Sequence, residues 1–376
     1  MNPLQQLANL GQSIWLDYMR RDLVTSGELQ KLIREDGLKG LTSNPTIFQK
    51  AVEGSKDYDD LFAEWAPRKA SAGEVFEALA VRDIRDAART FRPVWEETRH
   101  RDGYCSIEVS PTLAHDTDGT LTEARRLWKT LSVPNVMIKI PGTQEGVPAI
   151  EQAISEGINV NVTLLFSQES YAQVAEAYIR GLEKRAARGE DVSQLASVAS
   201  FFVSRIDTLV EKIIAQREKA GATPEQKRLF DQVTGKVAIA NAKQAYQRYQ
   251  KIFSGARWKA LADKGAQTQR VLWASTGTKN PRYSDVLYVE ELIGPETVNT
   301  IPPATLDAYR DHGKPRRTLD QGLDEADATM RALEKAGISM KEVTDQLVVE
   351  GVKSFADSYQ ALLAAVAARV GAGGGR

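Results

Sequence analysis

Eight short apolar or β-branched runs alternate with longer amphipathic stretches along this chain, and few folds accommodate that rhythm. The runs lie at residues 13–17, 40–44, 105–110, 135–140, 158–166, 196–204, 270–275 and 297–301. Each has the length of a strand, and the segments between them read as helices by apolar spacing and end signals. Thr25 and Glu28 have capping-box spacing ahead of Leu29, Leu32 and Ile33. Ser167 opens a segment in which Tyr171, Val174, Ala175 and Tyr178 share one face, and residues 206–253 read as helical with a break near 221–224. Strands alternating with helices in this number predict an α/β fold, a closed parallel (β/α)8 TIM barrel rather than a doubly wound sheet.

Two regions exceed a minimal barrel. Residues 51–101 form a helical insertion between the second and third strands, and residues 319–370 form C-terminal helices. In the latter, Leu323, Ala326, Met330 and Leu333 fall on one face, and the expected role is to cover the barrel floor, with an association surface as the alternative. The Gly/Ala-rich tail 371–376 is expected to fray. With no fixed-period repeat and no Pro-rich linker, residues 1–376 are expected to form a single domain.

The composition removes several function classes. A formal net charge of −1 supplies no bulk field for nucleic acid or an anionic membrane. An anionic substrate must then be held by a few placed cations. Cys105 is the lone cysteine, so no intrachain disulfide is expected, and His100, His115 and His312 are scattered without ligand spacing, so no metal centre is expected. Residues 1–15 show no basic start followed by an apolar run, and no stretch approaches the ~20 apolar residues of a membrane span. A cytoplasmic location is expected. No dinucleotide or nucleoside-triphosphate glycine fingerprint occurs, and no cofactor is expected.

Alternation within the strands carries the functional signal. In a barrel, every second strand residue faces the lumen, and active sites gather at the C-terminal strand ends. One face of the first strand holds Trp15 and Asp17, one face of the third holds Ser106, Glu108 and Ser110, and one face of the fourth holds Met137 and Lys139. The fifth strand sets Asn159, Asn161 and Thr163 against Val160, Val162 and Leu164, and the sixth sets Ser200 and Phe202 against Phe201 and Val203. The opposite faces are apolar, so the polar faces should point inward. Burying such groups is costly unless they are paired or used.

A lysine desolvated in a barrel loses part of what stabilises its ammonium form, and its amine can add to a ketone to give an imine. Lys139 is the candidate; the competing reading is a snorkelling lysine or one half of an ion pair with Glu108 or Asp17. Asp17 and Glu108 are the acid–base candidates. Asn44 and Asn161 suit substrate hydroxyls, although Asn44 precedes Pro45 and equally suits a turn. Thr163 suits a water beside Glu108. Arg205 after the sixth strand, with Ser275 to Lys279 after the seventh, suits a phosphate.

Five segments resemble the signature regions of the transaldolases, in their longer bacterial type. They are LTSNPT at 41–46, VMIKIPGT at 136–143, GINVNVTLLF at 157–166, SFFVSR at 200–205 and GPETVNTIPP at 294–303. The resemblance covers residues 13 to 310 or so. It implies a Schiff-base enzyme that moves a dihydroxyacetone unit between sugar phosphates. Lys139 falls on the Schiff-base lysine, Asp17 on the base at the C4 hydroxyl, and Glu108 with Thr163 on the pair that positions a catalytic water. Asn44, Asn161 and Ser200 fall on hydroxyl ligands, Arg205 on the main phosphate ligand, Ser275 and Lys279 on the second phosphate loop. That loop differs in length from its counterpart in shorter relatives, and Asp17 sits in WLDY rather than an Asp-Thr-rich context. The nearest alternative is a fructose 6-phosphate aldolase; Glu108 and the substrate-facing Phe202 match the transferase pattern instead. A non-catalytic sugar-phosphate-binding barrel is the alternative from another class.

Overall fold

A computed structural model describes residues 2–373. Its eight strands are β1 (Gln12–Asp17), β2 (Gly40–Thr42), β3 (Tyr104–Glu108), β4 (Val136–Pro141), β5 (Val160–Leu165), β6 (Ser197–Phe202), β7 (Arg270–Ala274) and β8 (Thr297–Ile301). All are parallel, each pairs with the next, and β8 closes onto β1. This is the (β/α)8 TIM barrel, and every one of the eight expected runs supplies a strand.

Burial explains why the runs form. Helix-facing Ile14, Leu16, Ile107, Val136, Ile138 and Val162 are at most 5% exposed beneath the outer helices. Each such side chain contributes about 1.5–3 kcal/mol when fully buried. The helices between strands are closed by local caps. Ser167 Oγ accepts from Ser170 N at 3.0 Å to start the helix Gln168–Ala187, and Asp116 caps Gly119 N at 2.9 Å to start Thr117–Leu131. The stretch after β6 divides into Ser204–Lys219, Pro224–Val233 and Val237–Ile252, with the break at Gly221. Thr25 and Glu28 form no capping box. Thr25 ends the short helix Arg21–Thr25, its hydroxyl donating to Arg21 O at 3.2 Å, and Gly27, at φ +83, opens Glu28–Asp36.

The lumen is closed at its N-terminal end by charge. Arg270 Nη2 donates to Asp102 Oδ1 at 2.9 Å and to Arg101 O at 2.6 Å, while its Nη1 donates to Ser13 Oγ at 2.8 Å. Trp15 Nε1 also donates to Asp102 Oδ1, at 3.1 Å. Burial works to raise the Asp102 carboxyl, but Arg270, Ser13 and Trp15 together hold it below the usual carboxylate range. Every buried charge here has a partner, which is what makes a charged plug tolerable. Above the plug, Trp15 fills the lumen opposite Gly40, where a Cβ would lie 2.6 Å from the indole ring. Only glycine leaves room for the ring.

With the floor closed this way, the C-terminal helices lie elsewhere. The helix Met340–Gly373, here the mouth helix, crosses the C-terminal rim rather than the floor. Thr46 Oγ1, beyond β2, donates to Ser358 Oγ at 2.8 Å. Gly351 sits on Leu164 and Phe166 at the end of β5. Leu347, Phe355, Leu362 and Val366 are buried along its inner side. The expected frayed tail is helical through Gly373, and residues 374–376 lie outside the described residues. Between β2 and β3 run the helices Pro45–Glu53, Asp59–Trp65, Ala72–Thr90 and Arg92–Glu97, of which the first three pack against the mouth helix.

Candidate active site

Strand register assigns the lumen face without ambiguity. Asp17 lies opposite Thr42, Thr42 opposite Ser106, Glu108 opposite Lys139, Lys139 opposite Asn161, and Pro141 opposite Thr163. Asn161 lies opposite Val198, two residues below Ser200 on the same face. Partners across a parallel ladder point to the same side. Asp17, Glu108, Lys139, Asn161, Thr163 and Ser200 therefore share the lumen, as alternation predicts.

Lys139 is 6% exposed, and its Nζ donates to the backbone carbonyl of Ser43 at 2.9 Å. Neither carboxylate forms an ion pair with it within hydrogen-bond reach. Both nevertheless feel its charge. Burial raises Asp17 above its ordinary range, against the opposing pull of Lys139, a Thr42 hydroxyl and Arg205. Burial likewise raises Glu108, against Lys139 and Thr163 and reinforced by Asp17. Two acids that hold protons more tightly than usual, around one amine, form a proton-transfer set.

A hydrogen-bonded lattice orients these groups. Thr42 Oγ1 donates to Asp17 Oδ1 at 2.7 Å and lies 2.6 Å from the Thr300 hydroxyl. Asn161 Nδ2 donates to Ser106 Oγ at 3.1 Å, and Ser200 Oγ donates to Asn161 Oδ1 at 2.7 Å. Thr163 Oγ1 is 3.5 Å from Glu108 Oε1, a long contact, and Glu108 Oε2 has no protein partner. Such spacing leaves room for a shared water and is common in unliganded sites.

Asn44 adopts its turn role. Its Oδ1 accepts from Ile47 N at 3.0 Å as the cap of Pro45–Glu53, which leaves the amide NH2 for a ligand. The barrel also departs from strict alternation at Leu164, where φ is +59 and the β5–β6 register shifts between Val162 and Leu165. Leu164 was expected among the helix-facing residues; the bulge turns it up to meet Gly351 of the mouth helix. Strain of this kind concentrates beside functional sites.

Arg205 begins the helix Ser204–Lys219, its guanidinium 5.3 Å from the Phe202 ring and 6.0 Å from Phe355 of the mouth helix. Burial lowers its pKa, opposed by the Asp17 and Glu350 carboxylates. Among the described residues no carboxylate stands within ion-pair distance of it, so its charge is available to an anion at a helix N-terminus. Ser275, at φ +56, is brought alongside: Ser204 N donates to Ser275 O at 3.1 Å, and the two hydroxyls are 3.0 Å apart. Lys279 is not drawn in; it is exposed on the loop after β7, with no hydrogen bond or ion pair among the described residues.

Alternation reasoning passed over Thr42, Thr300 and the Ser43 carbonyl. The first two follow from parity with Gly40 and Val298, whereas nothing in a residue code announces a backbone acceptor. Among the described residues, no cluster of three or more His, Cys, Asp or Glu is placed to hold a metal ion.

The family model described as Transaldolase/Fructose-6-phosphate aldolase matches residues 14–366. A protein named transaldolase from Trichodesmium erythraeum is 50% identical over 364 residues, covering 96% of either chain. One named transaldolase 2 from a Nostoc species is 48% identical over 98% of each chain. One named transaldolase from Thiobacillus denitrificans is 48% identical over 97% of this chain and 100% of its own. By the family match and these identities, the chain belongs to the transaldolase/fructose-6-phosphate aldolase family.

Proposed function

We propose that this chain is a transaldolase, moving a dihydroxyacetone unit between sugar phosphates through a Schiff base on Lys139, in the cytoplasm and in the non-oxidative pentose phosphate pathway. The observation that carries the reading is a buried amine, anchored only by a carbonyl, with two carboxyls of raised proton affinity in the same lumen.

A ketose phosphate such as sedoheptulose 7-phosphate or fructose 6-phosphate enters through the mouth. Its phosphate meets Arg205 and Ser275, with Lys279 within the same loop. Asn44, Asn161 and Ser200 take the hydroxyls, and Phe202 backs the Arg205 face. The Lys139 amine adds to the C2 carbonyl, and the carbinolamine loses water as Glu108, with Thr163, moves the proton. Asp17 then accepts the C4 hydroxyl proton while the C3–C4 bond breaks. Its electron pair flows into the imine and leaves an enamine on Lys139. The aldose phosphate departs, a second aldose phosphate (glyceraldehyde 3-phosphate or erythrose 4-phosphate) is attacked through its aldehyde, and water hydrolyses the new imine. The imine withdraws electrons as no water-solvated carbonyl does, and the closed lumen protects the enamine.

Borohydride trapping tests this directly. Reduction in the presence of fructose 6-phosphate is expected to add the sugar-derived fragment to the peptide carrying Lys139, and Lys139→Ala is expected to abolish both adduct and turnover. An adduct elsewhere, or none, removes the Schiff-base reading. Rapid release of free dihydroxyacetone without an acceptor would assign the chain to the aldolase side of its family.

A further inference from the structure

The barrel wall has an open seam beside the reacting groups. β2 is three residues long, and its pairing with β3 ends where Thr42 meets Ser106. β3 runs on through Ile107 to Glu108, which has a strand neighbour only on its Lys139 side. Past Thr42 the chain turns away through Ser43 and Asn44, and a single hydrogen bond, Ser43 Oγ to Ser106 O at 2.9 Å, spans the base of the gap.

A cavity lies in that gap, bounded by Asn44, Phe48, Ala80, Glu108, Val109 and Tyr359. Glu108 faces the lumen and Val109 faces the helices, and both border this space at the edge of β3. The cavity has a water-accessible volume of about 50 Å³. At ~10–15 Å³ for each water, that is room for roughly three to five. Farther out, a surface groove of about 880 Å³ runs between the helices Ala72–Thr90 and Thr117–Leu131. Gly73, Glu77, Ser110, Glu123 and Tyr359 line both spaces. The Glu123 carboxylate stands at this neck, accepting from Ser110 N at 3.2 Å, and at the inner end Glu108 Oε2 is buried without a protein partner.

Each imine formed on Lys139 releases one water, and each imine hydrolysed consumes one. The mouth helix crosses the rim, and on the proposed reading a bound sugar phosphate would fill the lumen beneath it. We propose that the seam between β2 and β3 is a water port: carbonyl-derived water leaves, and solvent water enters, past Glu108 and through the Glu123 neck while the sugar stays bound. The proposal rests on the Schiff-base reading above.

The test follows the C2 oxygen of fructose 6-phosphate in ¹⁸O-enriched water without acceptor, with aldol transfer measured in a parallel reaction that supplies erythrose 4-phosphate. Imine formation expels the original oxygen, and return of a solvent water to C2 restores the carbonyl with label. Gly73→Leu places a side chain at the neck, where the backbone admits a Cβ that meets nothing nearer than Ser71 Oγ at 3.9 Å; an unchanged melting temperature confirms that the variant folds. Ala80→Leu fills the cavity itself. Both variants are expected to lower the ratio of enzymatic ¹⁸O uptake to aldol transfer several-fold, with KM for the ketose unchanged, because the expelled water is trapped and reused. An unchanged ratio in Gly73→Leu overturns the port, as does an equal fall in uptake and transfer. Absence of uptake by the unsubstituted enzyme instead sinks the Schiff-base reading.

Discussion

Glu108 is kept in the lumen at an energetic cost that a pH series can expose. Burial raises its pKa, and Lys139 and Thr163 only partly offset that rise. The folded chain thus binds this proton more tightly than the unfolded chain, whose glutamates titrate near ~4.3. Stability from this group is present below the unfolded value and is lost as pH rises through the folded one. Glu108→Gln imitates the protonated form. Its melting temperature is expected to exceed that of the unsubstituted protein at neutral pH, with the gap closing as pH falls below the unfolded carboxylate range. Activity moves oppositely, with kcat falling about 10²–10⁴-fold for a lost proton-transfer group. Thermal melts across pH would contradict this account if the variant were the less stable one at pH 7. The same residue shows why so much of the site was legible. A charged side chain at alternate spacing with Ser106, on a strand whose other face is Ile107 and Val109, has only the lumen to occupy. Asn44 was legible only as a choice between two roles, since capping and ligand binding demand the same amide.

At the scale of elements, strands were readable because most helix-facing positions are apolar (Gln12, Ser197, Thr297 and Asn299 are the polar exceptions), while the mouth helix was readable as a helix but not as a lid. Amphipathicity says that one face is buried; it does not say against what. Its placement depends on Gly351, which brings the helix onto β5 so closely that a Cβ would lie 2.9 Å from Leu164 Cδ2 and 3.9 Å from Arg205 Nη1. Glycine inside a helix ordinarily costs about 1 kcal/mol relative to alanine, so Gly351→Ala should stabilise if propensity decided the matter. Packing decides instead, and overfilling costs about 1–3 kcal/mol. Gly351→Ala is expected to lower stability, and to raise KM for phosphorylated ketoses more than for unphosphorylated ones, because the displaced helix carries Phe355 away from the Arg205 guanidinium. Denaturant titration with steady-state kinetics on both substrate types checks this. Equal KM changes would detach the mouth helix from the phosphate site. The Leu164 bulge was invisible for a related reason: it answers to a helix nearly two hundred residues away in the chain.

For the whole molecule, the two additions to the barrel act on each other as much as on the strands. Arg369, near the end of the mouth helix, donates to Val52 O at 2.9 Å and Ser55 O at 3.2 Å and lies 5.0 Å from the Phe62 ring. Phe76 of the insertion meets Phe48 at 5.5 Å and Tyr359 of the mouth helix at 6.0 Å, both edge-on. Neither addition can leave the barrel without stripping apolar surface from the other, and each covers part of the rim above Lys139. We propose on this basis that the chain is one cooperative domain rather than a barrel with a detachable cap. Chains of this length often unfold through intermediates, so a single cooperative transition is a discriminating outcome. Native-state hydrogen exchange should find the slowest amides of Ala72–Thr90 opening with the same free energy and denaturant dependence as those of β4 and β5. Arg369→Ala should lower both together, by about 1–3 kcal/mol for the loss of charged hydrogen bonds. If the insertion instead opened well below the strands, and Arg369→Ala widened that difference, the cap would be a separate unit, and the rim above the lysine would open on its own.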